Sequence, residues 1–311
     1  MFIDVVLAVC RDDPRLPCPP ALLEPVRSFA MSLRSLLVLL DESSGPDAAS
    51  RAARALALAH GAHVTGIAPT GTVEVPDALR DASGLKDLAA TAVHLLIKRA
   101  EDAADRFAAD CRKDGIGTFD AAIDSSDTVP AVSRRSHATD LVVLGQPDPD
   151  RTDHVGRRRA LEEILLRIPT PALLVPYACA VSTLGSRVMV AWDGSREATR
   201  AISDAIPLLR KAARVEIVRW VSPRARQDSD GAVSRLDALP EWLRHHGVTA
   251  TTRIEITETP VSDAILSQAA DSGADLIVMG AYGHPRWTER LLGGATRGLL
   301  DSMTVPVFMS R

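Results

Sequence analysis

A glycine-rich segment near the C-terminus has the residue types and spacing to bind phosphate. Gly280 and Gly283 closely follow the apolar run 276–279, and after nine intervening residues the stretch 293–296, Gly-Gly-Ala-Thr, begins a helical pattern. Glycine lets the backbone approach anionic oxygens, and a helix N-terminus supplies N–H donors. The segment has neither the lysine of a Walker loop nor the spacing of a dinucleotide fingerprint. Taken alone, it fits a phosphate cradle and an ordinary surface loop equally well.

The elements around this segment alternate between short β-branched runs and alanine-rich helical stretches. In the C-terminal half the pattern predicts strands near 186–192, 214–221, 250–256, 274–279 and 305–310, and helices near 196–212, 233–246, 260–272 and 294–302. Ser195 is the expected N-cap of the first of these helices, and Gly273 is expected just past the end of the third. Unbroken apolar strands alternating with helices predict a parallel sheet covered on both faces. Such sheets bind ligands at the carboxyl ends of the strands.

The same plan occurs twice in the chain. The run 140–145 resembles 275–280, and 171–175 resembles 306–310 with the same offset. The first strand and its terminal aspartate are also repeated, as Asp41 and Asp193. This internal repeat predicts two α/β domains of similar architecture, the first in residues 31–178 and the second in residues 185–311.

Residues 1–30 do not fit this repeat. Five prolines lie between Pro14 and Pro25, and several arginines accompany them. Proline removes backbone donors and interrupts helices and strands, so we expect a poorly ordered N-terminal extension. Because Met31 opens the first strand-like run, an alternative start of translation at Met31 is a second reading, which the intact mass of the native protein would decide.

Composition excludes several classes of function. The 311 residues have a net charge of −4, which lacks the basic excess typical of nucleic-acid-binding proteins. The four cysteines are scattered without a Cys-x-x-Cys pair, which favours a reducing, cytoplasmic compartment over a disulfide framework or a zinc site. No apolar run approaches the roughly 20 residues of a membrane-spanning helix. We therefore expect a cytoplasmic protein without nucleic-acid, membrane or metal partners.

Three motifs in the second half together resemble universal stress protein domains. They are Gly280-x2-Gly283-x9-Gly293, the Asp193-Gly194-Ser195 turn after the first strand, and the closing segment 304–309. With the internal repeat, residues 31–311 resemble a tandem pair of such domains. The resemblance implies an α/β fold of two tandem Rossmann-like (adenine nucleotide hydrolase-like) domains, each a five-stranded parallel sheet with helices on both faces. It also implies that the halves pair along their final strands, 173–176 with 305–309, as an intramolecular pseudo-dimer; a further homodimer stays open.

The resemblance further implies that the second domain binds ATP together with Mg²⁺. Asp193 would contact the ribose, and the strand-end residues beside it would flank the adenine. The full set of residues implied is Ala191, Trp192, Asp193, Val221, Gly280, Gly283, His284, Gly293, Gly294, Ala295 and Thr296. His284 would contact phosphate or cap its turn, and an alternative for Asp193 is that its carboxylate only caps the turn into the next helix.

Two residues depart from the family pattern in the second half. Gly294 stands where the family has a serine or threonine, so a hydroxyl donor is lost. Trp192 is bulkier than the small residue usual beside the aspartate, and it would either stack on adenine or fill the pocket. The functional reading is a stress-response protein that binds ATP in its C-terminal domain. The alternatives are a nucleotide-independent scaffold and a slow ATPase; no nucleophile motif argues for an enzyme.

The first half departs further from the pattern. After Gly145 the loop contains Pro147 and Pro149, which lack N–H donors, and the run 151–159 is rich in arginine. Asp41 is present at the end of the first strand without a glycine loop to accompany it. The sequence therefore predicts a degenerate nucleotide site, a structural or regulatory role for this half, and a solvated basic turn at 157–159.

Overall fold

The computed structural model describes residues 32–41, 47–72, 85–179, 184–223, 230–281 and 294–311. Residues from Ser32 to Arg311 belong to one compact unit. The prediction for residues 1–30 lies outside the described residues. So do Gly283, His284 and Gly293 of the glycine-rich segment.

The described residues contain two successive sets of alternating strands and helices. The first set is β1 (Ser35–Leu39), α1 (Ala48–His60), β2 (His63–Pro69), α2 (Leu85–Lys113), β3 (Phe119–Asp124), α3 (Thr128–Ser136), β4 (Leu141–Gly145), α4 (His154–Arg167) and β5 (Ala172–Val175). The second set is β6 (Arg187–Ala191), α5 (Arg196–Leu209), β7 (Arg214–Val221), α6 (Asp230–His245), β8 (Ala250–Ile256), α7 (Val261–Ser272), β9 (Leu276–Gly280), α8 (Gly294–Ser302) and β10 (Val307–Ser310). All elements predicted for the second half are present, with ends displaced by at most a few residues.

All ten strands form a single sheet in the order β3-β2-β1-β4-β5-β10-β9-β6-β7-β8. Neighbouring strands within each half are parallel, whereas β5 and β10 are antiparallel and place Val307 opposite Leu174 and Met309 opposite Ala172. Pairing covers two apolar edges that would otherwise stay exposed to other chains. The predicted tandem fold and the predicted pairing of the final strands are both confirmed.

Helices cover both faces of the sheet, and each face has its own apolar core. One face, called the α5 face below, is covered by α1, α2, α5 and α6; the other, called the α8 face, by α3, α4, α7 and α8. Side chains alternate between faces along a strand. In β6 and just after it, Val190 and Trp192 therefore belong to the α5 face, and Met189 and Ala191 to the α8 face.

Single residues explain why α5 begins and why α7 ends where they do. The Ser195 hydroxyl accepts a hydrogen bond from the Ala198 N–H at 3.0 Å, which satisfies one of the unpaired donors in the first turn of α5. Gly273 ends α7 in the left-handed conformation, with φ of 61°, a geometry that glycine adopts without strain. Both residues have the capping roles predicted from sequence.

Candidate functional site

In the second half, two strands that are each followed by a helix are neighbours at the point where the strand order reverses. β6 and β9 are neighbours, and the chain leaves β6 toward α5 on one face of the sheet and β9 toward α8 on the other. The crevice at the carboxyl ends of such strands is the general ligand-binding position of open parallel sheets. Helix N-termini add unpaired N–H donors and positive potential, which suit an anion.

Three residues predicted for the site, Ala191, Val221 and Gly280, end three neighbouring strands at this edge of the sheet. Ala191 ends β6 and is in register with Met279 of β9 and Val218 of β7. Val221 ends β7, and Gly280 ends β9 directly after Met279. Gly294, Ala295 and Thr296 form the first turn of α8.

Trp192 is packed inside the protein. Its side chain is only 4% exposed and belongs to the core of the α5 face, while its backbone N–H donates to the Val218 carbonyl at 3.0 Å. The guanidinium carbon of Arg219 lies 5.9 Å from the centre of the indole ring, within range of a cation–π contact. Of the two readings of this residue, the geometry favours filling of the core, on the face opposite to Ala191.

Asp193 is exposed in the turn between β6 and α5. Its Oδ1 accepts a hydrogen bond from the Ser195 N–H at 2.9 Å, and Gly194 between them has a left-handed backbone with φ of 82°. The carboxylate therefore performs the turn-capping role that the sequence left as an alternative. This hydrogen bond occupies one of two carboxylate oxygens, so turn capping and a ligand contact are compatible in one side chain.

Gly280 has a packing role that the sequence did not reveal. A Cβ at this position would lie 2.5 Å from the Ala198 nitrogen and 2.6 Å from the Glu197 carbonyl carbon, both in the first turn of α5. Such distances are far below normal van der Waals separation, so only glycine lets β9 approach α5 this closely. The corresponding glycine of the first half, Gly145, has no such restriction, because its Cβ would meet only the Ala49 Cβ at 3.7 Å.

Comparison with known proteins agrees with this geometry. Residues 186–311 match the model of the universal stress protein family. This part of the chain is therefore similar to a universal stress protein domain. The chain is also 24% identical over 174 residues to a universal stress protein of Synechocystis sp., an alignment covering 55% of this chain and 58% of that protein, less than two thirds of its length.

Solved structures show the same fold beyond that domain. A universal stress protein from Archaeoglobus fulgidus superposes with a TM-score of 0.70 at 18% identity, covering 90% of this chain and 97% of that one. A functionally unknown protein from Pseudomonas aeruginosa superposes with a TM-score of 0.57 at 16% identity, covering 89% and 92%. At these identities the likeness establishes the fold, which extends over both halves of the chain.

The first half of the chain contains a cavity at the equivalent edge of the sheet. The cavity measures about 440 Å³ and lies where β1 and β4 end, at the reversal of strand order in this half. Its wall is part apolar and part polar, and includes Leu39, Asp41, Asp47, Ala49, Gln146, Asp148, Arg151, Arg157, Ala160, Leu161, Ile164, Val175 and Tyr177. The sequence predicted a degenerate nucleotide site here and gave no sign of a cavity.

Arginines at the mouth of this cavity are held by carboxylates. Asp153 accepts hydrogen bonds from Arg151 at 2.9 Å and from Arg157 at 2.6 Å, and Arg157 also donates to Asp41 at 3.2 Å. The hydrogen bond from Arg151, together with the one from Arg157, holds the pKa of Asp153 well below its ordinary value. Burial alone would raise this pKa, and the two hydrogen bonds outweigh it.

The next arginine, Arg158, joins the two halves. It pairs with Glu162 at 2.8 Å and with Asp301 of α8, and its side chain is largely buried. The prediction of a solvated basic turn at 157–159 is therefore wrong for Arg157 and Arg158, because carboxylates distant in sequence pair with both.

The described residues show neither a cluster of metal ligands nor a membrane-spanning helix. Within the described ranges, no group of three or more histidine, cysteine, aspartate or glutamate side chains is arranged to hold a metal ion. None of the helices in those ranges is both long and apolar enough to cross a membrane.

Proposed function

We propose that this protein is a stress-response protein that binds an adenine nucleotide, ATP with Mg²⁺, in its C-terminal universal stress protein domain. The observation that carries the proposal is the N-terminus of α5, whose first turn lies against Gly280 at the carboxyl end of β9, where the strand order reverses. This arrangement offers backbone donors and positive potential to a polyanion at the point where open parallel sheets bind ligands.

Each part of the nucleotide has a group suited to it. Asp193 keeps Oδ1 on its turn, and Oδ2 is the oxygen we assign to the ribose hydroxyls. Ala191 and Val221, small and apolar at adjacent strand ends, would flank the adenine. Trp192 would support the end of β6 from the α5 face rather than stack on the base.

The phosphates and their Mg²⁺ would lie against the glycine-rich segment. We assign them to backbone N–H groups of Gly280, Gly283, Gly293, Gly294, Ala295 and Thr296, with a contact from His284. The first turn of α8 contributes three of these residues, and unpaired N–H groups in a first turn are typical phosphate donors.

The tryptophans make the second half easy to monitor. All four, Trp192, Trp220, Trp242 and Trp287, lie in it. Titration of Mg·ATP into the full chain, followed by tryptophan fluorescence and by calorimetry, should therefore give a saturable change with matching affinities. If neither signal saturates at millimolar nucleotide, the protein is the nucleotide-independent scaffold instead.

Matched substitutions in the two halves locate the site. Asp193→Ala should weaken Mg·ATP binding at least tenfold, on the order of 1.4 kcal/mol, because a charged hydrogen-bond partner is lost. Asp41→Ala changes the equivalent aspartate of the first half and should leave the affinity unchanged. Gly283→Ala should also weaken binding by placing a Cβ where phosphate must approach. Equal effects of Asp193→Ala and Asp41→Ala would contradict a site confined to the second half.

A further inference from the structure

The cavity of the first half has a buried acceptor without a donor. Gln146 follows β4, is only 8% exposed and lines the cavity. Its Nε2 donates to the Leu300 carbonyl at 2.9 Å, which fixes the orientation of the amide. Its Oε1 is buried and has no hydrogen-bond partner among the described residues. Buried acceptors are almost always paired in folded proteins, so a donor from an occupant of the cavity is the natural partner for this oxygen.

Three backbone donors of the loop between β4 and α4 are already used. The N–H groups of Gln146, Asp150 and Arg151 donate to Val175, to the Asp148 carboxylate and to the Asp148 carbonyl, respectively. The two prolines of this loop have no N–H group to offer. The described part of this loop therefore offers a phosphate few free backbone donors before the first turn of α4, where no side chain caps the helix.

The charged side chains that line the cavity favour a ligand with hydrogen-bond donors over an anionic ligand. Three carboxylates line the cavity, those of Asp41, Asp47 and Asp148, against two guanidinium groups. Both guanidinium groups already donate to carboxylates, Arg151 to Asp153 and Arg157 to Asp153 and Asp41. A phosphate would face the remaining negative charge without a free counter-charge, whereas an N–H or O–H group would meet acceptors.

The rest of the wall suits an apolar body. Aliphatic surface comes from two strands and two helices, through Leu39, Ala49, Leu161, Ile164 and Val175. The volume of about 440 Å³ lies within the range of small-molecule sites, roughly 300–1,000 Å³. Apolar walls with a few convergent polar groups are the usual composition of such sites.

We propose that this cavity binds a small uncharged or cationic molecule that combines an apolar body with two or more N–H or O–H donors, and that it rejects phosphorylated compounds. This site is separate from the ATP site proposed for the second half, and neither depends on the other.

Calorimetry with three probes tests the proposal on the full chain. Adenosine is uncharged and rich in donors, tryptamine is cationic, and ATP has the base and ribose of adenosine with added phosphates. Adenosine and tryptamine are titrated with and without saturating Mg·ATP, which would fill a site in the second half. We expect at least one of the two to bind in both conditions, and adenosine binding to cause little change in tryptophan fluorescence. The proposal is wrong if neither binds at millimolar concentration, or if ATP displaces the bound probe from this site.

Substitutions in the wall show where the probe binds. Ala160 is half-buried on α4 and lines the cavity, so Ala160→Trp should fill it and weaken probe binding at least tenfold. Gln146→Leu keeps the size but removes the acceptor and should weaken binding about fivefold. Ala270→Trp, on an exposed position of α7, is the size-matched control and should not change the affinity.

Circular dichroism and thermal unfolding confirm that each variant is folded, and Ala160→Leu replaces Ala160→Trp if the larger side chain is not tolerated. Unchanged probe affinity in a folded cavity-filling variant would overturn the proposal. Mg·ATP affinity is measured on the same samples. The absence of probe binding to the cavity can therefore be distinguished from the absence of Mg·ATP binding to the second half.

Discussion

The contact between Gly280 and α5 predicts that replacing the strand-end glycine by alanine lowers stability in the second half but not in the first. In Gly280→Ala the added Cβ would lie 2.5 Å and 2.6 Å from backbone atoms of α5, where ordinary carbon contacts are about 3.5–4.0 Å. Backbone atoms in a capped first turn cannot move aside as the end of a long side chain can. Either β9 or α5 must therefore shift by roughly 1 Å.

The magnitude follows from two opposing effects. Overpacking of a well-packed region costs about 1–3 kcal/mol, and contact with backbone on two sides places this site near 3 kcal/mol. Replacing glycine by alanine also removes freedom from the unfolded chain, which stabilises the folded state by about 0.4–1 kcal/mol. We expect a net loss of about 2 kcal/mol for Gly280→Ala, or roughly 4–8 °C in the unfolding midpoint.

Gly145→Ala is the matched control, because Gly145 ends β4 as Gly280 ends β9. Its Cβ would meet the Ala49 Cβ at 3.7 Å, an ordinary contact, so only the effect on the unfolded chain remains. We expect this variant to be neutral or more stable by about 0.5 kcal/mol. Thermal unfolding followed by circular dichroism compares the two. A Gly280→Ala protein as stable as Gly145→Ala would refute the packing argument and leave phosphate contact as the reason for the glycine.

Three further predictions concern stability, each measured by thermal unfolding. Ser195→Ala removes the N-cap of α5 and should cost about 1 kcal/mol, whereas Ser195→Asp should not; equal midpoints for the two would contradict the capping role. Arg54 of α1 pairs with Asp110 of α2 at 2.6 Å and with Asp114, just after α2, at 2.8 Å, and its side chain is 9% exposed. Arg54→Ala should therefore cost about 2–3 kcal/mol, and a change below about 0.5 kcal/mol would argue against this link. Burial, reinforced by the charge of Lys211, lowers the pKa of His60 from 6.5 to about 4. The unfolded chain therefore binds more protons between these pH values, and stability should fall as the pH decreases from 6.5 toward 4. His60→Gln should remove that part of the fall; an identical pH profile in the variant would contradict the shift.

Features of the fold set by local signals could be predicted from the sequence. The Ser195 cap and the Gly273 terminus follow from the conformational preferences of single residues, and both were predicted correctly. Pairing of β5 with β10 was also predictable, because both are apolar edge strands at equivalent places in a repeat. Because the chain contains an internal repeat, the order of strands and helices in the second half also predicted that of the first.

Features that depend on distances between separated segments could not be predicted. Arg157 pairs with Asp41, which is 116 residues away, and nothing near either residue indicates that pairing. The burial of Trp192 depends on the packing of α5 against the sheet. The same holds for Gly280, whose glycine-rich surroundings suggest phosphate binding whereas its geometry requires glycine for packing.

The two strand-end glycines explain why the halves differ at the same position of the fold. In the second half the first turn of α5 lies directly on Gly280, so the nucleotide that we propose there would lie beyond the ends of β6 and β9, near the exposed Asp193. In the first half a Cβ on Gly145 would meet only the Ala49 Cβ of α1, and both residues line the cavity. Close approach of a helix to the sheet therefore leaves no room for a side chain at Gly280, whereas the wider gap at Gly145 is part of a cavity. The same topology thus gives equivalent strand ends different surroundings, and this difference is the reason why we propose different ligands for the two halves.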